Sequence, residues 1–213
     1  CTYCSFPAYL LKGKYAERYD EYIESLYRET AEIGKFAQEQ KLKINTIYIG
    51  GGTPSILSAE EIEKLLLTVK ENYDLQNLRE FTFEAGRIDT LDREKLQILK
   101  KHGVDKISIN PQSFNEKTLK LVNRYHNREE FDNVYSMSKE TGLKINMDLI
   151  LGLPGETTED ILYTLEQLEK YNSENLTIHN LAIKNASSLN KENYRHYIEL
   201  DYKRIFDKID KVT

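Results

Sequence analysis

The chain has 213 residues, 30 Lys and Arg against 35 Asp and Glu for a net charge of −5, and 39% hydrophobic residues. A chain of this length buries ~70% of its unfolded surface, enough for a core in one domain, and no run approaches the ~20 apolar residues of a membrane-spanning helix. Its Lys and Arg are scattered among Asp and Glu without a basic stripe, so neither a membrane nor nucleic acid is an expected partner.

The chain opens on Cys1-Thr2-Tyr3-Cys4 and holds no other cysteine. Two cysteines this close do not make a disulfide scaffold. The spacing suits a metal or redox pair in a reducing cytoplasm, with ordinary loop cysteines as the plain alternative. With no initiator Met and no leader pattern, the expectation is a piece of a longer protein. Residues 1–14 are expected to be poorly anchored in the absence of a metal.

Residues 15–40 carry Tyr19, Tyr22, Ile23, Leu26, Tyr27, Thr30 and Ile33 at helical spacing, one face of a long helix whose end Gly34 is expected to loosen. Residues 44–49 are short and β-branched and are stopped by Gly50, Gly51 and Gly52, then Thr53 and Pro54: a buried strand followed by a glycine loop. Ser58 and Glu61 form a capping box for a helix through Ile62, Leu65, Leu66 and Val69. The alternation continues with strands over 80–84, 106–110, 144–151 and 175–183 and helices over 92–102, 128–141 and 159–171. Residues 184–213 break the rhythm. A polar stretch, 185–193, leads into an amphipathic helix with Tyr197, Leu200, Ile205 and Ile209, expected to pack on the core. The fold class is α/β with parallel strands and helices outside, either a (β/α) barrel or an open doubly wound sheet.

In such architectures reactive groups gather at the C-terminal ends of the strands. Gly50 to Pro54 follow one strand, Glu84 ends another, Gln112 follows a third, and Asp148 lies in a fourth just before Gly152-Leu153-Pro154-Gly155. All fall on one rim, which favours a ligand site. The triple glycine lets backbone approach a ligand closely, or simply makes a tight turn. Glu84 and Asp148 interrupt apolar strands, where an unpaired carboxylate is costly. Gln112 can donate and accept and Arg124 can grip a carboxylate, and both also suit ordinary polar contacts near helix ends.

Taken together, Cys1, Tyr3 and Cys4, the run from Gly50 to Ser55, Glu84-Ala85-Gly86-Arg87, the run from Ile107 to Phe114, and the run from Met147 to Gly155 resemble radical S-adenosylmethionine (SAM) enzymes. The resemblance is to the oxygen-independent coproporphyrinogen III oxidase class, nearest its HemZ-like branch. It implies a partial (β/α)6 barrel lacking its first strand, with residues 1–183 as the radical SAM core and 184–213 as a C-terminal packing helix. It also implies two cofactors, a [4Fe-4S] cluster and SAM. Cys1 and Cys4 match the second and third cysteines of the family's CxxxCxxC loop, and the aromatic Tyr3 belongs to the same cofactor-binding loop. Gly50, Gly51, Gly52 and Thr53 match the stretch that holds the methionine amine, Glu84 and Arg124 match contacts to the methionine end, and Gln112 and Asp148 match contacts to the ribose.

The activity implied is reductive cleavage of SAM to a 5′-deoxyadenosyl radical and oxidative decarboxylation of coproporphyrinogen III to protoporphyrinogen IX. The partners implied are that tetrapyrrole or a related one and an electron donor such as flavodoxin or ferredoxin. Phe6 stands where family members proven in this oxidation carry a further cysteine. Two alternatives share the scaffold: a heme chaperone, with His102, His126, His179 and His196 as candidate axial ligands, and a radical SAM methyltransferase.

Overall fold

The computed structural model describes residues 1–6, 13–192, 194 and 199–212. The helices are α1 (Lys14–Glu17), α2 (Tyr19–Glu39), α3 (Ala59–Asn72), α4 (Arg93–Lys101), α5 (Glu116–Leu121), α6 (Arg128–Glu140), α7 (Thr158–Leu168), α8 (Ser188–Lys191) and α9 (Tyr202–Val212). The strands are β1 (Thr46–Ile49), β2 (Glu80–Glu84), β3 (Lys106–Ser108), β4 (Lys144–Leu151) and β5 (Asn175–Asn180). All neighbouring strands are parallel, and their order in the sheet is their order in the chain. A doubly wound sheet reverses its order at a switch point. None occurs here, so the strands belong to a partial (β/α) barrel.

Side-chain alternation shows which face the helices cover. On β4 the odd positions Ile145, Met147, Leu149 and Leu151 are buried in the core, whereas Asn146 and Asp148 between them are half-buried. On β2, Phe81 and Phe83 enter the same core, and Glu84 lies on the other face. A parallel sheet covered on both faces would read as a continuous apolar run. The apolar face therefore packs against the helices, at ~1.5–3 kcal/mol per buried large side chain, and the polar face lines the barrel interior. Reciprocal capping boxes start three of the covering helices, Ser58 with Glu61 on α3, Asn127 with Glu130 on α6, and Thr157 with Asp160 on α7.

Several expectations are corrected. The helix over 15–40 is broken at Arg18, which separates α1 from α2. Gly34 does not loosen an end: it lies inside α2 pressed on α3, where an added Cβ would stand 2.6 Å from the Asn72 carbonyl oxygen. The β3 strand stops at Ser108, before Pro111, which has no N–H for the ladder, and Gln112 then rejoins the sheet in an isolated bridge with Leu149. The last strand ends at Asn180. The stretch 185–193 contains α8, which buries Leu189. The terminal helix begins only at Tyr202, and Tyr197 lies outside the described residues. This helix, α9, runs along α7 through Arg204 to Glu159 at 2.7 Å and Lys208 to Glu169 at 2.5 Å, with Ile205 in the core.

Candidate cofactor site

At the end of β2 the Glu84 carboxylate faces the glycine loop. Its Oε1 accepts from the Tyr48 hydroxyl at 2.6 Å, and its Oε2 accepts from the Gly51 amide at 3.0 Å. Burial, then the bond to Glu84, raises the Tyr48 hydroxyl pKa above its usual range. Two of the three glycines are required by the geometry. A Cβ on Gly50 would stand 2.6 Å from the Tyr48 ring, and Gly51 has φ +126°, whereas Gly52 borders open space. The loop thus presents backbone at the mouth of the barrel while Glu84 holds its middle.

Asp148 stands on the same interior face. Its Oδ1 accepts from Asn146 Nδ2 at 2.8 Å, and the same amide donates to Ser108 Oγ at 3.2 Å. Thr177 on β5 donates to Asn146 Oδ1 at 3.4 Å. Glu84 pairs in register with Ser108 and Ser108 with Asn146, so one polar row crosses β2, β3 and β4 beneath Asp148. Gln112 is tied to it through backbone: its N–H donates to the Asp148 carbonyl at 3.0 Å and its carbonyl accepts from Ile150 N–H at 2.9 Å. Gln112 has φ 66°, a left-handed conformation that costs a residue with a Cβ ~1 kcal/mol or more.

Arg124 joins this rim to the cysteine loop. Its position, unplaced by periodicity, is the loop after α5, where its N–H donates to the Leu119 carbonyl at 2.9 Å. Its Nη2 donates to the carbonyls of Gly86 and Asn110, both at 2.7 Å, clamping the loops that follow β2 and β3. Its Nη1 lies 3.8 Å from Cys1 Sγ and 3.5 Å from the Tyr3 hydroxyl. His126, beside it, has its pKa lowered to about 4, chiefly by burial and then by the Arg124 charge.

The start of the cysteine loop is tied down by its backbone. Thr2 is buried, its N–H donates to the Val122 carbonyl, and its carbonyl accepts from Leu189 N–H, both at 3.1 Å. Backbone bonds thus hold the start of the loop, and residues 7–12 of the segment lie outside the described residues. Cys1 and Cys4 are both free thiols.

Sequence reasoning missed Tyr48, Ser108 and Asn146, although Tyr48 and Asn146 each lie two residues before a position it singled out, Gly50 and Asp148, and so share its face. It also missed Glu156, which is buried behind the β4 loop. Burial raises its carboxyl pKa from 4.5 to about 7, against the lowering effect of hydrogen bonds from Gly152, Leu153 and Ser113.

Five buried side-chain atoms among the described residues have no hydrogen-bond partner, and four of them surround this mouth: Thr2 Oγ1, Asn110 Oδ1, Gln112 Oε1 and Arg124 Nε. Buried polar atoms are rarely left so. Donors and acceptors awaiting a polar ligand, next to two soft thiols, fit an iron–sulfur cluster with a nucleotide beside it. Among the described residues, no set of three His, Cys, Asp or Glu side chains forms a metal site by itself.

Comparison with known proteins agrees with this chemistry. Residues 1–168 match the model of the Radical SAM superfamily. The chain is 42% identical over 200 residues to the oxygen-independent coproporphyrinogen-III oxidase-like protein HemZ of Bacillus subtilis, covering 93% of the chain and 40% of that protein. It is 37% identical over 184 residues to the heme chaperone HemW of Lactococcus lactis, covering 86% of the chain and 46% of that protein. In fold it matches coproporphyrinogen III oxidase (HemN) of Escherichia coli with a TM-score of 0.79 at 22% identity, over 99% of the chain and 48% of that structure. The chain spans less than half the length of each of these relatives. The superfamily uses a [4Fe-4S] cluster and SAM, and neighbours in fold carry them: TsrM of Kitasatospora setae with a [4Fe-4S] cluster, and anSMEcpe with bound AdoMet. A sequential parallel barrel, paired thiols and a polar mouth are thus joined by a direct family match, and the chain belongs to the radical SAM superfamily.

Proposed function

We propose that this chain is the cofactor-holding core of a radical SAM oxidoreductase that acts on a tetrapyrrole, with coproporphyrinogen III as substrate and protoporphyrinogen IX as product. The observation that supports it most is the Arg124 guanidinium, which lies against Cys1 Sγ with one nitrogen and fastens the loops after β2 and β3 with another. One side chain thereby links the Cys1 thiol to the mouth that carries the unpartnered polar atoms.

In this reading Cys1 and Cys4 are two of the cluster's thiolate ligands, with Tyr3 packed beside them. The loop of Gly50, Gly51, Gly52 and Thr53 receives the methionine amine together with Glu84, whose oxygens each keep a lone pair beyond the bonds from Tyr48 and Gly51. Arg124, whose buried Nε has no partner in the chain, receives the methionine carboxylate, and Gln112 and Asp148 hold the ribose hydroxyls. When bound, the two cofactors supply one-electron cleavage of the sulfonium and hydrogen abstraction from the substrate. The chain's residues fix orientation and keep water out of the mouth.

In this reading residues 1–183 are the radical SAM core, and α8 and α9 of the 184–213 stretch pack against it. The electron comes from a carrier such as flavodoxin or ferredoxin, and the setting is the cytoplasm. The described residues contain no helix long and apolar enough to cross a membrane.

The test is anaerobic reconstitution of the full-length protein with iron and sulfide, followed by SAM, reductant and coproporphyrinogen III. The proposal expects 5′-deoxyadenosine together with protoporphyrinogen IX. Deoxyadenosine with an unchanged tetrapyrrole discards the substrate, and no deoxyadenosine despite a full cluster discards both assignments.

The HemW relatives favour a second reading, a heme chaperone. Among the candidate ligands, His102 is buried and bound to Glu63 at 3.0 Å, His126 is half-buried beside Arg124, and His196 lies outside the described residues. His179 is exposed on β5, on the face of Thr177. This reading expects stoichiometric heme binding that His179→Ala abolishes, without tetrapyrrole turnover.

A further inference from the structure

We propose that Glu156 is a positioning residue for the Gln112 amide, bracing the loop after β3 against the loop after β4. The inference rests on the reading of Gln112 as a nucleoside contact. Glu156 is 1% exposed, and both its oxygens are engaged. Oε2 accepts from the amides of Gly152 at 2.8 Å and Leu153 at 3.1 Å, which fixes the turn that leaves β4. Oε1 accepts from Ser113 Oγ at 3.1 Å, and Ser113 is the residue after Gln112.

The Ser113 hydroxyl is fully buried, meets Thr164 Oγ1 of α7 at 3.1 Å and accepts from the Asn115 amide at 3.2 Å. Gln112 is therefore restrained on two sides. The backbone of Asp148 and Ile150 holds its own peptide groups, and Glu156 pins its successor. The restraint is needed because Gln112 holds its left-handed φ of 66° only where its neighbours over-determine it. Its Oε1 is buried and unpartnered, so a small shift of the loop moves an acceptor that has no other bond to hold it.

Among the described residues, no cation pairs with the Glu156 carboxylate. The charged group acting on it from the neighbouring helix is Asp160, of like sign. An ion-pair anchor is therefore excluded, and the geometry of acceptors facing two loops is what the position uses. A glutamine retains that geometry, with Oε1 toward the two amides and Nε2 donating to Ser113 Oγ, whose own proton then turns to Thr164. Alanine retains none of it.

The experiment measures SAM affinity by equilibrium dialysis on the reconstituted full-length protein, with cluster content followed by absorbance. The variants are Glu156→Gln, Glu156→Ala, Gln112→Ala and the Glu156→Ala/Gln112→Ala pair. The expected result is a change within roughly twofold for Glu156→Gln, a loss of roughly tenfold for Glu156→Ala at unchanged cluster content, and no further loss when Glu156→Ala is added to Gln112→Ala. Additive losses in the double variant, or equal losses for Gln and Ala at position 156, overturn the positioning role while leaving the nucleoside reading in place. Unchanged affinity in Gln112→Ala overturns the nucleoside reading itself. If Glu156→Ala does not fold, Ser113→Ala cuts the same link from the other side and is read in the same cycle.

Discussion

Tyr48 and Glu84, on adjacent strands, share a 2.6 Å hydrogen bond at the barrel mouth, and the second oxygen of the same carboxylate takes the Gly51 amide. The glycine loop is therefore held by an acid that a phenol aims. Tyr48→Phe removes the aim but keeps the ring. Because Tyr48 is 59% exposed as a whole, though its hydroxyl is partly desolvated, unfolding stability should fall by no more than ~1 kcal/mol, whereas SAM affinity should fall by roughly fivefold as Glu84 gains freedom. Urea titration beside equilibrium dialysis separates the two effects, and a stability loss without an affinity loss would assign Tyr48 to the scaffold.

Glu156 makes stability depend on pH in a definite direction. Its carboxyl is raised from 4.5 to about 7 in the folded chain, so its contribution is full below pH 4.5 and is lost as pH rises through 7. The change is on the order of 3 kcal/mol. Glu156→Gln cannot ionise, so its unfolding free energy relative to the parent should climb between pH 5 and 8. A constant difference across that range would show that the carboxyl titrates normally.

His126 acts with the opposite sign. Its pKa is lowered from 6.5 to about 4, so the unfolded chain takes up a proton first, and the contribution present above pH 6.5 is lost as pH falls toward 4. His126→Gln should remove this acid-side loss, seen as a shallower fall in the unfolding midpoint between pH 6.5 and 4. An unaltered fall would place the imidazole in water.

Much of this architecture is legible in the amino-acid order, because strands of period two alternate with helices of period 3.6 and capping residues mark the starts of α3, α6 and α7. The rim is legible for the same reason: a glycine loop, Glu84, Gln112 and Asp148 all follow or end strands. Other features depend on partners far along the chain. The α5 helix, at six residues, is too short to show a period, which left Arg124 unplaced. Tyr48 shares its face with Gly50, yet only the tertiary fold turns that face toward Glu84. Glu156 reads as an acid beside the Thr157 cap, and its burial appears only once the Ser113 loop closes over it.

Gly34 shows how the same residue type reverses meaning with context. In a free helix, alanine is better than glycine by ~1 kcal/mol. Here its Cβ would meet Asn72 backbone oxygen at 2.6 Å and the Tyr73 ring at 2.8 Å. Gly34→Ala should destabilise the chain by ~1–3 kcal/mol through forced separation of α2 from α3, measured by the urea midpoint. A stabilised variant would mean that the two helices do not approach this closely.

The convergence of thiols, glycine loop and polar rim on one SAM molecule is tested most directly by SAM binding to the reconstituted full-length protein carrying Asp148→Ala. Asp148 stands on the interior face, bound to Asn146 at 2.8 Å and remote in sequence from both cysteines. The expected result is a SAM affinity weakened by tenfold or more, roughly the loss of one charged hydrogen-bond acceptor, with the cluster's absorbance unchanged. Undiminished SAM affinity at full cluster content would contradict it.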